Sequence, residues 1–179
     1  MTAPKGQKKK SVQARSAARL AAVQALYNAE LSGQTPDLVL DDFLKHGIGG
    51  KVMLTPEGVD PAGFGEVEHV LADPDPLMLT AIFRGTLARR DDFDEMIAGA
   101  LSADWTVDRL ETVLRAILRA GACELADFPD VPVRVVISEY VDIAHAFYSG
   151  PEPGLVNAVL DRIGRVVRAG EIGGDVRSR

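Results

Sequence analysis

The sequence predicts an all-α fold of six to seven helices gathered in two small helical-bundle lobes, and three observations carry that expectation. Apolar residues recur at three- and four-residue steps along most of the chain, the spacing that puts them on one side of a helix. No run of β-type alternation exceeds about four residues, and the one candidate, "VRVVI" from Val133 to Ile137, lies inside a better helical stripe. Glycine and proline concentrate between the apolar segments, where helices stop and start. With 179 residues, 46% of them hydrophobic and 26% charged, the chain is long enough to bury a core and too apolar for wholesale disorder.

Taken in order, residues 1–14 read as a basic flexible tail ahead of the first helix. Leu20, Val23, Leu26, Tyr27 and Leu31 form that helix's stripe, and Ser32-Gly33 end it. A short second helix over 36–46 has Leu38, Phe43 and Leu44 as its apolar side. Residues 47–75, dense in glycine and proline, read as a long loop with a helical turn near 66–72. Helical stretches at 77–89 and 93–101 follow, with Gly85 placed for close approach of a neighbour. Thr106 stands ready to cap the next helix, with Asp108 in its positive first turn. That helix carries Leu110, Val113, Leu114, Ile117, Leu118 and Leu125. Asp130, Val131 and Pro132 open another, Pro132 being tolerated in a first turn, with Val133, Ile137, Tyr140, Val141, Ala144 and Phe147 as its stripe. "SGPEPG" breaks the chain before a last helix built on Leu155, Val156, Val159, Leu160, Ile163 and Val167, and residues 171–179 read as a loose end. The lobes are expected over about 15–90 and 91–170, meeting around residues 85–105.

Charge is distributed unevenly. Residues 1–29 hold Lys5, Lys8, Lys9, Lys10, Arg15 and Arg19 without one acid, while the remaining 14 basic and 26 acidic residues leave the body at −12. A basic arm on an acidic body suits a polyanion such as RNA, although a tail that is basic only for solubility has the same composition. The single cysteine, Cys123, excludes an intramolecular disulfide and a cysteine-based metal cluster, and its apolar surroundings suggest an inert buried thiol. No apolar run reaches membrane-span length, and no apolar stretch follows the amino-terminal lysines as in a secretory signal, so a cytoplasmic location is expected.

No catalytic constellation assembles. His46, His69 and His145 lack partners at metal-ligand spacing, "GIGG" at 47–50 lacks the lysine and hydroxyl of a phosphate loop, and "DPDP" at 73–76 is not a calcium loop. No cofactor, metal or enzymatic activity is expected. Glu124 is the oddest residue of the body, because it falls on the apolar side of its helix. A buried carboxylate must be paired, and Arg134 or a helix amino terminus is a candidate partner. Asn157, beside the last helix's stripe, is expected in a buried hydrogen bond. Arg15 and Arg19 share a helix face at the edge of the first stripe, within about 20° of Leu26. There they either line a seam where phosphate or a base is met, or lie solvated with their stems over apolar neighbours.

Four segments settle which alternative to pursue. "SAARLAAVQALY" at 16–27, "RLETVLRAILRAGACEL" at 109–125, "DVPVRVVISEYVDIAHAF" at 130–147 and "LVNAVLDRI" at 155–163 resemble, in order and spacing, the NusB family of bacterial transcription antitermination factors. The resemblance covers roughly residues 15–168 and is nearest the alphaproteobacterial branch. It implies an all-helical, two-lobed fold and no catalysis. It also implies binding of boxA-type leader RNA together with the small-subunit ribosomal protein NusE, within an RNA polymerase antitermination complex that serves ribosomal RNA operons.

The family's arginine-rich amino-terminal segment maps to Arg15, Ser16, Ala17 and Arg19, and the tyrosine closing "QALY" is Tyr27, which is core or borders RNA. Charge is thinner here because Ser16 and Ala17 stand at two middle positions, and Lys8, Lys9 and Lys10 are placed to replace it. A lysine and an aromatic residue that many members carry before "VN" are Gly154 and Leu155 here, which predicts weak RNA affinity alone and more dependence on the partner. A glutamate common at the ribosomal-protein interface is Leu114, with Asp108 retaining an acid nearby; Asp108 and Arg115 are the candidate partner contacts. Homodimers occur among relatives of this type. Two other readings remain at this point: a helical protein-docking adaptor with an inert tail, and an RNA-recognition accessory without boxA specificity.

Overall fold

A computed structural model describes residues 5–46, 72–102 and 105–172. Among them are eight α-helices, one 3-10 turn and no strand. The helices are α1 (Lys5–Ser32), α2 (Pro36–His46), α3 (Pro76–Ala88), α4 (Arg90–Ala100), α5 (Thr112–Asp127), α6 (Val133–Phe147), α7 (Glu152–Val167) and the single-turn α8 (Ala169–Ile172). The expected loop over 47–75 and the end beyond residue 172 lie almost wholly outside the described residues.

Local chemistry explains most boundaries. Gly33, at φ 68°, takes the left-handed conformation that separates α1 from α2. Asp75 caps α3 by accepting from the Leu77 and Met78 amides at 3.0 Å each, and Pro76 starts the helix where a missing N–H costs nothing. The Asp75 amide donates to the Ala14 carbonyl at 3.0 Å, which ties the start of α3 to α1. A single residue, Arg89, divides α3 from α4. It pairs with Asp92 and Asp127 and stacks over the Phe93 ring at 5.0 Å, which fixes the bend without glycine or proline.

Three sequence expectations need correction. α1 starts at Lys5, so most of the basic leader is helix in continuity with the body. Thr106 makes no capping hydrogen bond; it precedes the 3-10 turn Val107–Arg109, and α5 begins only at Thr112, after Leu110 has adopted extended backbone. Asp108 therefore sits in that turn and not in the first turn of α5. Asn157 is exposed on α7 and needs no buried partner.

α5 is the centre of the molecule and packs against α1, α3, α4, α6 and α7. Ten of its residues are buried, and half of them are small: Ala116, Ala120, Gly121, Ala122 and Cys123. A Cβ on Gly121 would stand 2.8 Å from Leu160 of α7, and one on Gly85 would stand 3.0 Å from the Cys123 sulfur. Close approach at Gly85 was expected; its neighbour is α5. One hydrophobic cluster runs continuously from α1 through α5 to α7 and takes in Phe93, Ile97, Ala100 and Leu101 of the 85–105 segment. Arg168, just beyond α7, donates to carbonyls at the end of α5 and in the following turn: Leu125 at 2.7 Å, Phe128 at 2.5 Å, Val131 at 2.6 Å, and Glu124 at 3.2 Å. Those of Glu124 and Phe128 also accept backbone N–H groups, so one planar guanidinium serves the orphan Leu125 and Val131 acceptors and two shared ones.

Candidate nucleic-acid interface

The residues expected to meet RNA lie on α1. An α-helix of 28 residues is about 42 Å long, and only part of this one is clasped. Ala17, Ala18, Ala21, Ala22 and Ala25 are buried with Val23 and Leu26. Small side chains let the backbone sink close to its neighbours, so the middle of α1 is enclosed by α3, α5 and α6. Amino-terminal to that zone, Lys10, Ser11, Val12, Gln13 and Arg15 are exposed. The backbone positions of Lys8 and Lys9 continue this helix, while their side chains lie outside the described residues.

Arg19 does not belong to the exposed set. It is only 2% accessible, and its guanidinium grips Glu124 of α5 in two-point fashion: Nη2 to Oε1 at 2.6 Å and Nε to Oε2 at 2.9 Å. Tyr140 of α6 donates its hydroxyl to Glu124 Oε2 at 2.9 Å. Arg19 Nη1 also stands 3.4 Å from Glu139 of α6. Burial alone would lower the Arg19 pKa, but hydrogen bonding to Glu124 and its negative charge outweigh that and raise it. Burial, then the Glu124 charge, hold the Tyr140 hydroxyl well above its ordinary pKa, so it stays a donor. The carboxylate flagged as anomalous in the sequence is therefore paired by the arginine assigned to RNA. An edge position on a helix wheel fixes direction and not depth, and the alanines beside Arg19 carry it inside.

Ser16 lies at the border. Its Oγ is 3.0 Å from Glu139 Oε1 and 3.3 Å from the Val12 carbonyl, and its one proton serves one acceptor at a time. Tyr27 is 38% exposed and stands on the rim of an open groove of about 360 Å³ between α1 and α2, with Gln24, Asn28, Leu31 and Phe43. Twelve residues separate it from Arg15, which is about 18 Å along the helix and roughly 120° around it. The helix thus brings Lys10, Arg15 and Ser16 together at one end and leaves Tyr27 apart.

The expected partner contacts divide in the same way. Asp108 is exposed. Arg115 is mostly covered: it donates to the Leu110 carbonyl at 3.0 Å and pairs with Glu30 at the far end of α1. Glu30 also meets Arg119 at 3.1 Å, and Arg119 makes a two-point pair with Asp94 of α4 at 2.7 Å on each arm. This chain of charges ties α1, α4 and α5 together. Leu114 is a core residue at 4% exposure, which accounts for an apolar side chain there. Gly154 is exposed in the first turn of α7, and a Cβ on it would meet nothing within 4 Å. Glu139 was missed entirely in the sequence. Its only signal was its place next to Tyr140 on a stripe that had to face α1 or α5.

Among the described residues no group of three or more His, Cys, Asp or Glu could hold a metal ion, and no helix is long and apolar enough to cross a membrane. The fold and this surface define a class: a helical bundle with a basic amino-terminal helix end and an interior locked by ion pairs. A sequence model of the NusB family matches residues 16–165. The transcription antitermination protein NusB of Rhodospirillum rubrum is 48% identical over 98% of this chain and 95% of its own length, and that of Sphingopyxis alaskensis is 43% identical over 89% and 97%. In fold the chain is similar to T. maritima NusB (TM-score 0.65, 22% identity, 97% of this chain and 99% of that one). It is also similar to a chain of a crystal structure of the antitermination factors NusB and NusE in complex with dsRNA (TM-score 0.62, 19% identity, 84% and 96%). The chain belongs to the NusB family.

Proposed function

We propose that this chain is a non-enzymatic RNA-binding antitermination factor of the cytoplasm. It holds boxA-type leader RNA jointly with the small-subunit ribosomal protein NusE, within an RNA polymerase complex that reads ribosomal RNA operons. The observation that carries the reading is family membership over residues 16–165, on a chain whose exposed cations at the start of α1 stand clear of the acidic body. Lys10 and Arg15 supply phosphate contacts, Lys8 and Lys9 add charge ahead of them, and Ser16 offers a hydroxyl donor. Tyr27, 18 Å or so away by helix geometry, meets a different part of the RNA. Arg19 acts from inside: it fixes the turn that presents Arg15 and Ser16. NusE docks on the face that includes Asp108, with Arg115 holding that face in shape through Glu30.

The test is binding of a labelled boxA-type RNA, with and without NusE, against a scrambled RNA. Selective binding strengthened by NusE is expected. Arg15→Ala and Lys10→Ala should each weaken it and lower the slope of log affinity against log salt by about one. The burial of Arg19 also favours a second reading, a protein-docking adaptor whose RNA role has thinned. In that case NusE binds while RNA selectivity is absent even in the complex.

A further inference from the structure

We propose that Glu139 is a resident competitor of RNA phosphate, a carboxylate set into the basic end of α1 that holds RNA affinity down; this rests on the RNA-binding reading above. Arg19 is already matched by Glu124, whose two oxygens lie 2.6 and 2.9 Å from it and which is fully buried. Glu139 is therefore a second carboxylate against one guanidinium. Its contact to Arg19 is longer, at 3.4 Å, and its side chain is 23% exposed. It also takes the Ser16 hydroxyl at 3.0 Å, the one neutral donor at the border of the exposed cations. The residue before Ser16 is the exposed Arg15.

Two consequences follow for an incoming phosphate. It meets a second carboxylate beside a guanidinium that Glu124 already matches, where the body ends and the cations begin, and it finds the Ser16 donor engaged. The fold does not require this arrangement, because Glu124 and Tyr140 already bind α1 to α5 and α6 through Arg19. Glu139 thus sets affinity, and it makes the chain depend on its partner protein for tight RNA capture.

Glu139→Gln keeps an acceptor for Ser16 and Arg19 while removing the charge; Glu139→Ala removes both. Both variants and the unaltered chain are titrated with the labelled boxA-type RNA at about 50 and 200 mM salt, the range over which phosphate contacts lose most affinity. Thermal midpoints are recorded in parallel. Removal of one charge beside the exposed cations, in a half-solvated setting, is expected to tighten binding about fivefold at the lower salt, with the gain shrinking at the higher. The midpoints should stay close to that of the unaltered chain. Folded variants that bind no more tightly overturn the proposal, while weakened binding by Arg15→Ala in the same assay leaves the RNA reading standing. An unaltered chain that binds neither RNA, alone or with NusE, overturns both.

Discussion

Replacing Arg19 by alanine tests the buried pairing that the structure gives this arginine. Glu124 would be left fully buried, keeping only the Tyr140 hydroxyl at 2.9 Å and losing the guanidinium contacts of 2.6 to 3.1 Å. Breaking a buried pair by removing one partner costs about 3–5 kcal/mol, because the remaining charge is stranded in low dielectric. At this chain length, with about 2–4 °C per kcal/mol, that corresponds to a fall in thermal midpoint of about 6–20 °C. The pair itself need not be net stabilising. A triple variant, Arg19→Met with Glu124→Leu and Tyr140→Phe, removes every member of the central network and should recover most of the loss. Urea unfolding followed by circular dichroism measures both, and the Arg19/Glu124 double-mutant cycle should give a coupling of at least about 2 kcal/mol. The guanidinium pKa is raised, so its charge persists at every accessible pH and no alkaline titration releases the pair. An Arg19→Ala protein as stable as the unaltered chain, or an apolar triple variant no better than the single one, would refute the reasoning.

Gly154→Lys restores a cation where the chain has open space around the α-carbon; it should tighten RNA binding and steepen the salt slope by about one, measured by anisotropy. Arg168→Ala strands the carbonyls of Leu125 and Val131 and removes a second donor from those of Glu124 and Phe128; it should cost about 2–4 kcal/mol in urea unfolding, with Arg168→Lys recovering little because an ammonium lacks the planar fork. Cys123 is fully buried, and burial pushes its thiol pKa up from 9.0 to about 12. At pH 8 a thiol reagent should therefore label it only at the rate of unfolding. Because the folded pKa is the raised one, its contribution to stability is intact below pH 9 and is lost progressively as pH rises from 9 towards 12.

The helical class and the order of elements were legible because they depend on period, which survives in any one sequence. The 36–46 helix and the last helix begin and end close to where turn chemistry placed them. Faces were less legible in short helices. α2 buries Val39, Leu40 and Phe43, while Leu38 and Leu44 are 61% and 43% exposed. In an 11-residue helix containing "LVL", two overlapping stripes are equally apolar, and only the position of α1 and α3 selects one. Leu31 and Phe147, each near its helix's end, run past the body and stay largely exposed for the same reason.

The surroundings of the candidate RNA residues were only partly legible. Glu124 and Arg19 were each singled out, one as a buried acid to be paired by Arg134 or a helix amino terminus and the other as a cation at the edge of the first apolar stripe. Neither anomaly has a local solution, since 105 residues separate them. Read jointly, they are each other's solution: an acid on an apolar face demands a cation, and an alanine-lined face is the place where a long cationic side chain can be drawn fully inside. The same logic sorts the remaining cations of α1. Lys10 and Arg15 have no alanine cradle and stay in solvent, so the charges free to meet phosphate are those that the packing of α1 could not consume. Under the proposed function, RNA contact by this helix is set by what its burial leaves over, and the proposed role of Glu139, brought in by the neighbouring helix, is to trim that remainder further.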